Sequence, residues 1–523
     1  MAEYHRAVAA LAWAARGRAT TCSVALLVAI PLLIVAVVGL PLFQDGSSYL
    51  LELMTSQSAV RHHRYPVLLV QAPSIVALQL SAMAGVDPRS TLQVVRAVFN
   101  VSYATLPLVA LAWSWLLVRE RDPAMLIWAA APILLLNVVN FSAVSEILLA
   151  TQLAFPLLLA ASLERPTRFA NTTILLLTPF ILLLHALAAV LLLGLACGMA
   201  LRARRLGAQA RRAWLLAALF AGVTAARLAL DAWFATDYEK SMWGGQLFVD
   251  YFSAGFETAF FLAAATASLL WFGFHRQGRE RAVVVVSLGL TALTVATAFH
   301  NLAEIRRLGE QPVLLLALLA VTLVVVVVHA IRRPAETQPM SAADRAVFVL
   351  LWSAAGAIMT RYALLESFPL KTGATTLIGA VLLVFAAIDG LRDHPPADLR
   401  RRELFILNAA AVFAVLVLSK ATIWTAATTK LAQGPGSSAA ACVEIDDISM
   451  DWVRRSPGSI LNNWSLPTLY LVSAREPPAG LLLEAGDCDR FMQSGEIVVD
   501  PWTVLTPRQL PFVFGADPDT RHE

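Results

Sequence analysis

Two carboxylates stand where apolar runs meet hydrophilic segments, and both residue types can act as a general base. Asp45 precedes Gly46 and a pattern with apolar residues at i, i+3 and i+4 from Leu50, which predicts a short helix lying along a membrane surface. Glu146 opens another apolar run. A carboxylate at a helix mouth in a partly dry cavity can have its pKa tuned toward the working pH. The alternative is ordinary helix capping, with Asp45 as an N-cap and Glu146 as a first-turn charge.

Histidine, arginine and tyrosine residues accompany these carboxylates and are further candidates for a functional site. The candidates are His62, His63, Arg64, Tyr65, His185, Arg361 and Tyr362. Arginine and histidine side chains can carry a positive charge, and a tyrosine hydroxyl can donate or accept a hydrogen bond. A charged side chain near the end of a span can instead extend its head group to the interface, and for any single residue this alternative stays open.

The elements that must position these groups are membrane helices. The chain has 523 residues, of which 58% are apolar and 15% are charged, and its mean hydropathy is +0.68. An ordinary globular domain carries roughly 25% charged residues, so this chain needs lipid as part of its solvent. The composition excludes a soluble enzyme, a disordered chain, a collagen and a disulfide-rich secreted scaffold.

Thirteen apolar runs predict transmembrane helices, because about 20 helical residues cross a hydrocarbon core of about 30 Å. They lie at about 24–43, 97–118, 124–141, 147–162, 172–184, 186–200, 213–232, 253–274, 282–299, 311–330, 346–365, 374–391 and 404–425. Basic clusters flank residues 171–200 on both sides, so this segment is predicted to be two short helices with His185 near the outer tip. Residues 66–84 are predicted to form an interfacial helix. The predicted fold class is therefore an all-α polytopic membrane protein.

The distribution of Lys and Arg orients the predicted spans. Most of these residues fall in loops on the same side as the N-terminus, so we expect a cytoplasmic N-terminus and an extracytoplasmic C-terminus in a bacterial inner membrane. Nine ionisable residues then lie at or near the outer ends of their spans, which directs any chemistry outward. These are Arg96, Glu146, His185, Arg227, Asp231, Glu257, His300, Arg361 and Lys420.

The chain divides into a transmembrane domain at 1–425 and an extracytoplasmic C-terminal domain at 426–523, which opens with a Gly/Ser/Ala-rich linker. Short β-rich runs predict a small mixed or β domain there. The runs lie at 468–472, 480–483 and 496–499. An oxidising compartment suits a disulfide between Cys442 and Cys488.

The order of these features resembles the polytopic GT-C glycosyltransferases, which use polyprenyl-phosphate sugars as donors. The features are a first span ending in an outward Asp45, an amphipathic loop helix, a His/Tyr-Pro stretch ending at Pro66 and a second interfacial helix. Ser145-Glu146-Ile147-Leu148 then opens a short span, a helical hairpin carries His185 at its tip, and the Arg361-to-Pro369 segment is similar to an Arg-Tyr-…-Pro segment of the family. The family includes protein mannosyltransferases. The span count and outward C-terminal domain are similar to those of lipid A aminoarabinose transferases and the catalytic subunit of oligosaccharyltransferase.

The resemblance implies a reaction and a role for each candidate residue. Asp45 would be the catalytic base that accepts a proton from the nucleophile of an extracytoplasmic lipid, glycan or protein acceptor. The substrate-binding residues would surround it. Among these, Arg64, Arg361 and His185 would stabilise the leaving phosphate, whose oxygens match the planar fork of an arginine. Tyr65 and Tyr362 would orient the donor, and Glu146 would position the acceptor. His62 and His63 would also bind substrate.

No cofactor is expected. Asp45 has no acidic neighbour, and the outer loops before the C-terminal domain hold no Asp-x-Asp pair, so the sequence does not support a divalent metal, which takes several oxygen ligands including carboxylates. Zinc binding by His62 and His63 is a weaker alternative, because no nearby Cys or third His completes a tetrahedral set. Metal binding by the aspartate pairs 446–447 and 487/489 in the tail is another weak alternative. The partners expected are the lipid-linked donor, the acceptor and the bilayer, and nucleic acid is excluded because the basic residues are spread over many loops.

Two other function classes stay open. A transporter or lipid flippase usually carries polar groups near the bilayer midplane and shows repeated halves, and neither feature is evident in this sequence. A noncatalytic membrane scaffold would use the C-terminal domain to recruit a partner. Asp45→Asn separates the classes, because an enzyme that uses this base would lose sugar transfer. A transporter would instead show flux that does not depend on the donor, and a scaffold would tolerate both Asp45→Asn and Arg361→Ala.

Overall fold

The computed structural model describes residues 23–42, 45–56, 66–119, 123–139, 144–185, 187–207, 210–234, 442–444, 466–473, 481–483, 487–500 and 503–514, with individual helical positions between 379 and 431. This part of the chain is mostly helical, as the predicted fold class requires. The spans predicted between residues 253 and 365 lie outside the described residues.

Five helices make up the described residues of the N-terminal part, between positions 23 and 119. They are α1 (Ser23–Val38), α2 (Asp45–Ser56), α3 (Val67–Met83), α4 (Pro88–Ala104) and α5 (Leu106–Val118). A 3₁₀ turn at Leu40–Leu42 lies between α1 and α2. The start of α4 is set by Asp87, whose carboxylate accepts hydrogen bonds from the backbone N–H groups of Arg89 (3.0 Å) and Ser90 (2.9 Å). Pro88 then suits the first helical position, where an N–H is not needed.

The single span predicted at 97–118 is wrong in its extent. The structure has two helices there, α4 beginning nine residues earlier at Pro88 and α5 following a break at Thr105, with a bend of 40° between them. Pro107 at the start of α5 has no backbone N–H to continue the hydrogen-bond ladder of α4, which accounts for the bend. Together the two helices extend for about 46 Å at 1.5 Å per residue, longer than a hydrocarbon core of about 30 Å.

The next five helices of the described residues are separated by short stretches of sequence. They are α6 (Ile127–Val139), α7 (Glu146–Ser162), α8 (Arg168–Leu184), α9 (Ala188–Leu206) and α10 (Arg211–Phe234). The hydroxyls of Ser145 and Thr167 cap α7 and α8 by accepting bonds from the backbone N–H groups of Leu148 and Ala170. Residues 171–200 thus fall in two helices, α8 and α9, separated at His185 as the sequence predicts.

Several of these helices are apolar, but few reach a full membrane span. In the described residues, Arg211–Leu230 of α10 is long and apolar enough to cross a bilayer, and the bent α4–α5 pair passes the same test when it is counted as one span. Helices α1, α3, α7 and α8 are apolar with 10–17 residues each. The count of thirteen spans therefore stays a prediction.

Helix α3, predicted as an interfacial helix, has an inverted distribution of polarity. Gln71, Ser74 and Ser81 are buried on the side that packs against α4. Large apolar residues are exposed on the opposite side, with Leu69 68%, Leu80 59% and Met83 84% exposed. A helix in water would bury the second set and expose the first, so this face suits an apolar environment.

The C-terminal segment is a small mixed unit. Its elements are β1 (Cys442–Glu444), α11 (Leu466–Ser473), β2 (Leu481–Leu483), α12 (Asp487–Ser494), β3 (Ile497–Asp500), β4 (Thr503–Leu505) and α13 (Pro511–Phe514). β1 pairs in parallel with β2, and β3 pairs antiparallel with β4. The predicted strands at 480–483 and 496–499 correspond to β2 and β3.

The strand predicted at 468–472 is wrong, because these residues lie in helix α11. Every position from Leu466 to Val472 is buried, so the run lacks the alternation of exposed and buried residues that distinguishes a strand. A short, fully buried apolar run fits either a helix or a strand, and packing against α2 and β2 decides between them here.

The C-terminal unit shares one hydrophobic core with α1, α2 and α4. A second core joins α5 to α9. The apolar face of α2 was predicted to lie on the membrane surface, but Leu50 and Leu53 are fully buried in the shared core. α2 is covered by protein because α11 packs directly on it.

Candidate functional site

Tyr49 of α2 and Glu146 of α7 meet at the centre of the candidate site. The Tyr49 hydroxyl donates a hydrogen bond to Oε1 of Glu146, and both side chains are buried. Glu146 is the first residue of α7, where the unpaired N–H groups and the helix dipole favour a carboxylate. Sequence reasoning missed Tyr49, although its spacing of four residues from Asp45 was a usable signal, since positions i and i+4 share a helix face.

Asp45 is the first residue of α2, one turn before Tyr49. Position 45 therefore lies on the helix face that carries the contact to Glu146. The side chain of Asp45 lies outside what the structure describes. The backbone geometry nevertheless brings the two predicted carboxylate positions to neighbouring helix starts.

Gly46 explains how α2 can begin so close to the rest of the protein. A Cβ atom at this position would lie 1.7 Å from the carbonyl oxygen of Pro41 and 3.2 Å from Cγ2 of Val144. The first turn of α2 is thus held between the 3₁₀ turn that follows α1 and the segment that leads into α7. Only a residue without a side chain fits between these two neighbours, so Gly46 fixes where position 45 lies.

His185 lies between α8 and α9, and its polar atoms cap the start of α9. Its Nδ1 accepts a hydrogen bond from the backbone N–H of Leu187 at 3.1 Å, and its carbonyl oxygen accepts one from Ala188 at 2.9 Å. Because Nδ1 accepts, the proton of a neutral ring lies on Nε2.

His185 lies at the same end of the bundle as Glu146. Helices α7 and α8 have 17 residues each, pack along each other and are joined by residues 163–167. Such a connection makes the two helices antiparallel, which brings the end of α8 beside the start of α7. The structure therefore gathers three predicted positions, 45, 146 and 185, at one end.

Arginine side chains bond to carbonyl oxygens at helix ends on both ends of the bundle. At the end with Glu146, Arg227 of α10 donates from Nη1 to the carbonyl oxygen of Leu182, in the last turn of α8, at 3.1 Å. At the opposite end, Arg212 donates to the carbonyl oxygens of Leu163 and Ala160, which belong to the last turn and cap of α7. Carbonyls at helix C-termini lack intrahelical partners, so each arginine stabilises an otherwise incomplete helix end.

Six predicted site residues lie outside the described part of the chain. They are His62, His63, Arg64, Tyr65, Arg361 and Tyr362. The first four belong to the segment between α2 and α3, so α2 and α3 bracket their position along the chain. Their predicted contacts with a phosphate stay predictions.

A disulfide joins Cys442 of β1 to Cys488 of α12, the two cysteines predicted to pair, with their Cα atoms 5.8 Å apart.

No group of three or more His, Cys, Asp or Glu side chains that could hold a metal ion occurs among the described residues. Asp487 in the tail has a raised pKa because burial disfavours its charged form, while Arg490 lowers it and Glu444 raises it. The 446–447 pair lies outside the described residues.

Comparison with protein-family models, characterised proteins and solved structures finds no match to this chain. Among the described residues, α2 and α7 converge through the hydrogen bond between Tyr49 and Glu146.

Proposed function

We propose that this protein is a membrane glycosyltransferase of the GT-C type that transfers a sugar from a polyprenyl-phosphate donor to an extracytoplasmic acceptor. One observation carries the proposal. The short helix that begins at Asp45 is joined through Tyr49 to Glu146, and Gly46 lies against Val144, so the starts of α2 and α7 lie close together. Two neighbouring carboxylates in different surroundings can divide the roles of base and positioning group.

The proposal places the site at the extracytoplasmic face of a bundle of thirteen spans, with a cytoplasmic N-terminus and an outward C-terminal domain. The arginines at the end of the bundle opposite Glu146, including Arg202 and Arg212, support this orientation, because basic residues concentrate on the cytoplasmic side. The disulfide supports it as well, since disulfides persist in oxidising compartments.

Close helix packing through small residues supports the membrane assignment. A Cβ atom at Gly194 would lie 3.0 Å from Cα of Ala380, and one at Gly198 would lie 2.9 Å from Cβ of Ala387. The two glycines are four residues apart on one face of α9, and this small-xxx-small spacing is common where membrane helices approach closely.

In the proposed reaction, the acceptor's nucleophile attacks the anomeric carbon of the donor sugar while Asp45 accepts its proton. The new bond to the anomeric carbon forms as the bond from that carbon to the phosphate oxygen breaks, and the polyprenyl phosphate leaves with the bonding electrons. Cations help most where this negative charge gathers, and Arg64 and Arg361 are assigned that role. His185, whose Nδ1 accepts a hydrogen bond from Leu187, would donate one from Nε2 to the leaving phosphate. Tyr65 and Tyr362 would orient the donor, and Glu146, held by Tyr49, would position the acceptor.

The test compares Asp45→Asn with a matched control, Asp87→Asn. Both changes remove one carboxylate and keep its size, but Asp87 caps α4 at an exposed turn. Membranes containing each variant are supplied with a panel of radiolabelled undecaprenyl-phosphate hexoses and pentoses, and label in lipid, glycan and protein fractions is measured. We expect the Asp45 variant to lose transfer by about 10²- to 10⁴-fold, the usual contribution of a general base, and the Asp87 variant to retain it. Normal transfer by Asp45→Asn would refute the assignment.

A further inference from the structure

Helix α2 is held from two opposite sides. Ser47 and Tyr49 are two positions apart, so at about 100° per residue their side chains leave the helix about 200° apart. Tyr49 contacts Glu146 of the bundle, whereas the hydroxyl of Ser47 shares a 2.8 Å hydrogen bond with the hydroxyl of Thr468 in α11. Both residues of this second pair are fully buried. The helix that begins at Asp45 therefore lies between the bundle and the C-terminal unit.

Thr468 belongs to an element that is itself firmly held. α11 packs against β2, whose residues Leu481–Leu483 are all buried, and β2 pairs in parallel with β1. β1 carries Cys442, which the disulfide joins to Cys488 at the start of α12. The hydroxyl that reaches Ser47 thus projects from a cross-linked and well-packed unit.

Two arginines of α4 hold the same unit from a second direction. Arg96 donates from Nη1 to the carbonyl oxygen of Val472, near the end of α11, at 3.1 Å. Arg89, two turns earlier on α4, donates to the carbonyl oxygen of Phe512 at 3.1 Å. Carbonyls in the last turn of a helix lack intrahelical partners and accept such bonds readily. α11 is thereby fixed through Thr468 to α2 and through Val472 to α4.

We infer that Thr468 is a positioning residue, which holds α2 through Ser47 so that position 45 stays aligned with Glu146 and the site is incomplete without the C-terminal unit. The catalytic part of this inference rests on the proposed function, whereas the contact itself does not. A reacting group displaced by about 1 Å loses roughly 100-fold in rate. An arrangement that clamps both faces of a 12-residue helix restricts that displacement.

The kinetic test uses Thr468→Val, Thr468→Ser and Ser47→Ala in the full-length protein. Two matched controls come from the same helix. Ser48 is buried without a hydrogen-bond partner for its hydroxyl among the described residues, and the Thr55 hydroxyl bonds only to α2 carbonyls in that part of the chain. Each variant is assayed with the undecaprenyl-phosphate sugar that the unmodified protein consumes.

We expect Thr468→Val and Ser47→Ala to lower kcat by about 10- to 100-fold with little change in KM, because substrate contacts are unaltered. Thr468→Ser, which keeps the hydroxyl, should restore most of the rate, as should the controls Ser48→Ala and Thr55→Val. Equal rates for Thr468→Val and Ser48→Ala would overturn the positioning role while leaving the proposed transferase activity intact.

A cross-linking test addresses the contact independently of activity. Ser47→Cys with Thr468→Cys, in a protein whose Cys22 and Cys197 are changed to Ala, should form a disulfide when membranes are oxidised. Ser48→Cys with Thr468→Cys should not, since position 48 lies about 100° further around the helix. Failure of the first pair, or equal cross-linking by both pairs, would overturn the inference. Cross-linking of the first pair in a protein that consumes no lipid-linked sugar would uphold the contact and refute the proposed function.

Discussion

Tyr49 and Glu146 are joined by a side-chain hydrogen bond although 97 residues separate them along the chain. Tyr49 lies in the middle of a short helix, and Glu146 lies at the start of a different one. Because this bond connects α2 to α7, it sets the relation between the first hydrophilic segment and the helix bundle.

Tyr49→Phe should lower the free energy of unfolding by about 1.5–3 kcal/mol, the range for hydrogen bonds to charged groups. The ring stays, so the loss reports on the hydroxyl. Thermal unfolding of the purified protein in detergent measures it. Tyr470→Phe is the control, because Tyr470 is buried and makes no hydrogen bond through its hydroxyl to the described residues. A loss no larger for Tyr49→Phe than for Tyr470→Phe would contradict the prediction.

Gly46→Ala should destabilise the protein even though alanine favours helices by about 1 kcal/mol over glycine. The added Cβ would lie 1.7 Å from a backbone oxygen of Pro41, and backbone cannot move aside as easily as a side chain. Gly222→Ala in α10 is the control, since no atom lies within 4 Å of its added Cβ. We expect Gly46→Ala to lower the unfolding temperature and Gly222→Ala to leave it unchanged or raise it. A lower unfolding temperature for Gly222→Ala than for Gly46→Ala would show that α2 is not held against Pro41.

Sequence patterns predicted the local features well. The helix after Asp45, the division of residues 171–200 at His185 and the start of α7 at Glu146 all depend on capping residues and apolar spacing, which act over a few positions. The pairing of Tyr49 with Glu146 and of Ser47 with Thr468 depends instead on tertiary packing. No local rule relates residues 97 or 421 positions apart, so neither contact was predictable.

The errors have the same origin. Residues 468–472 are rich in apolar and β-prone side chains, yet they form a helix. All of them are buried, and the helix packs against α2 and β2. The apolar face of α2 suggested lipid contact. Nothing in the sequence near α2 indicates that α11, which lies more than 400 residues later, covers this face. Burial by a distant segment and burial by lipid select the same apolar residues.

Loss of the disulfide should loosen the C-terminal unit. Cys442 and Cys488 are 46 residues apart, and a cross-link closing such a loop contributes up to about 4 kcal/mol in the chain-entropy estimate. Cys442→Ser with Cys488→Ser should make this unit more sensitive to protease, as should a reductant acting on the unmodified protein. Cys197→Ser is the control, because Cys197 forms no disulfide. Unchanged protease resistance in the double variant would contradict this expectation.

The start of α4 should be sensitive to acid. Hydrogen bonds from the side chain and backbone of Ser90, and from the backbone of Arg89, lower the pKa of Asp87 below its usual 3.8. A lowered carboxyl pKa stabilises the fold fully above the usual value, and this contribution is lost as pH falls through the lower folded value. Hydrogen exchange of the first amides of α4, corrected for intrinsic rates, should therefore accelerate below about pH 4. Asp87→Asn keeps an acceptor without titrating, so its exchange should not show this step.

Close packing of α9 should make Gly198 intolerant of substitution. A Cβ there would lie 2.9 Å from Cβ of Ala387 and 3.3 Å from Cα of Val384, so Gly198→Ala forces the two helices apart. Overpacking of this kind destabilises by about 1–3 kcal/mol, which outweighs the helix preference of alanine of about 1 kcal/mol. Unfolding in detergent should show the loss, with Gly222→Ala again as control. Widening the partner groove should relieve it, so Gly198→Ala combined with Ala387→Gly is expected to recover part of the stability. A double variant no more stable than Gly198→Ala would show that the strain does not arise at this contact.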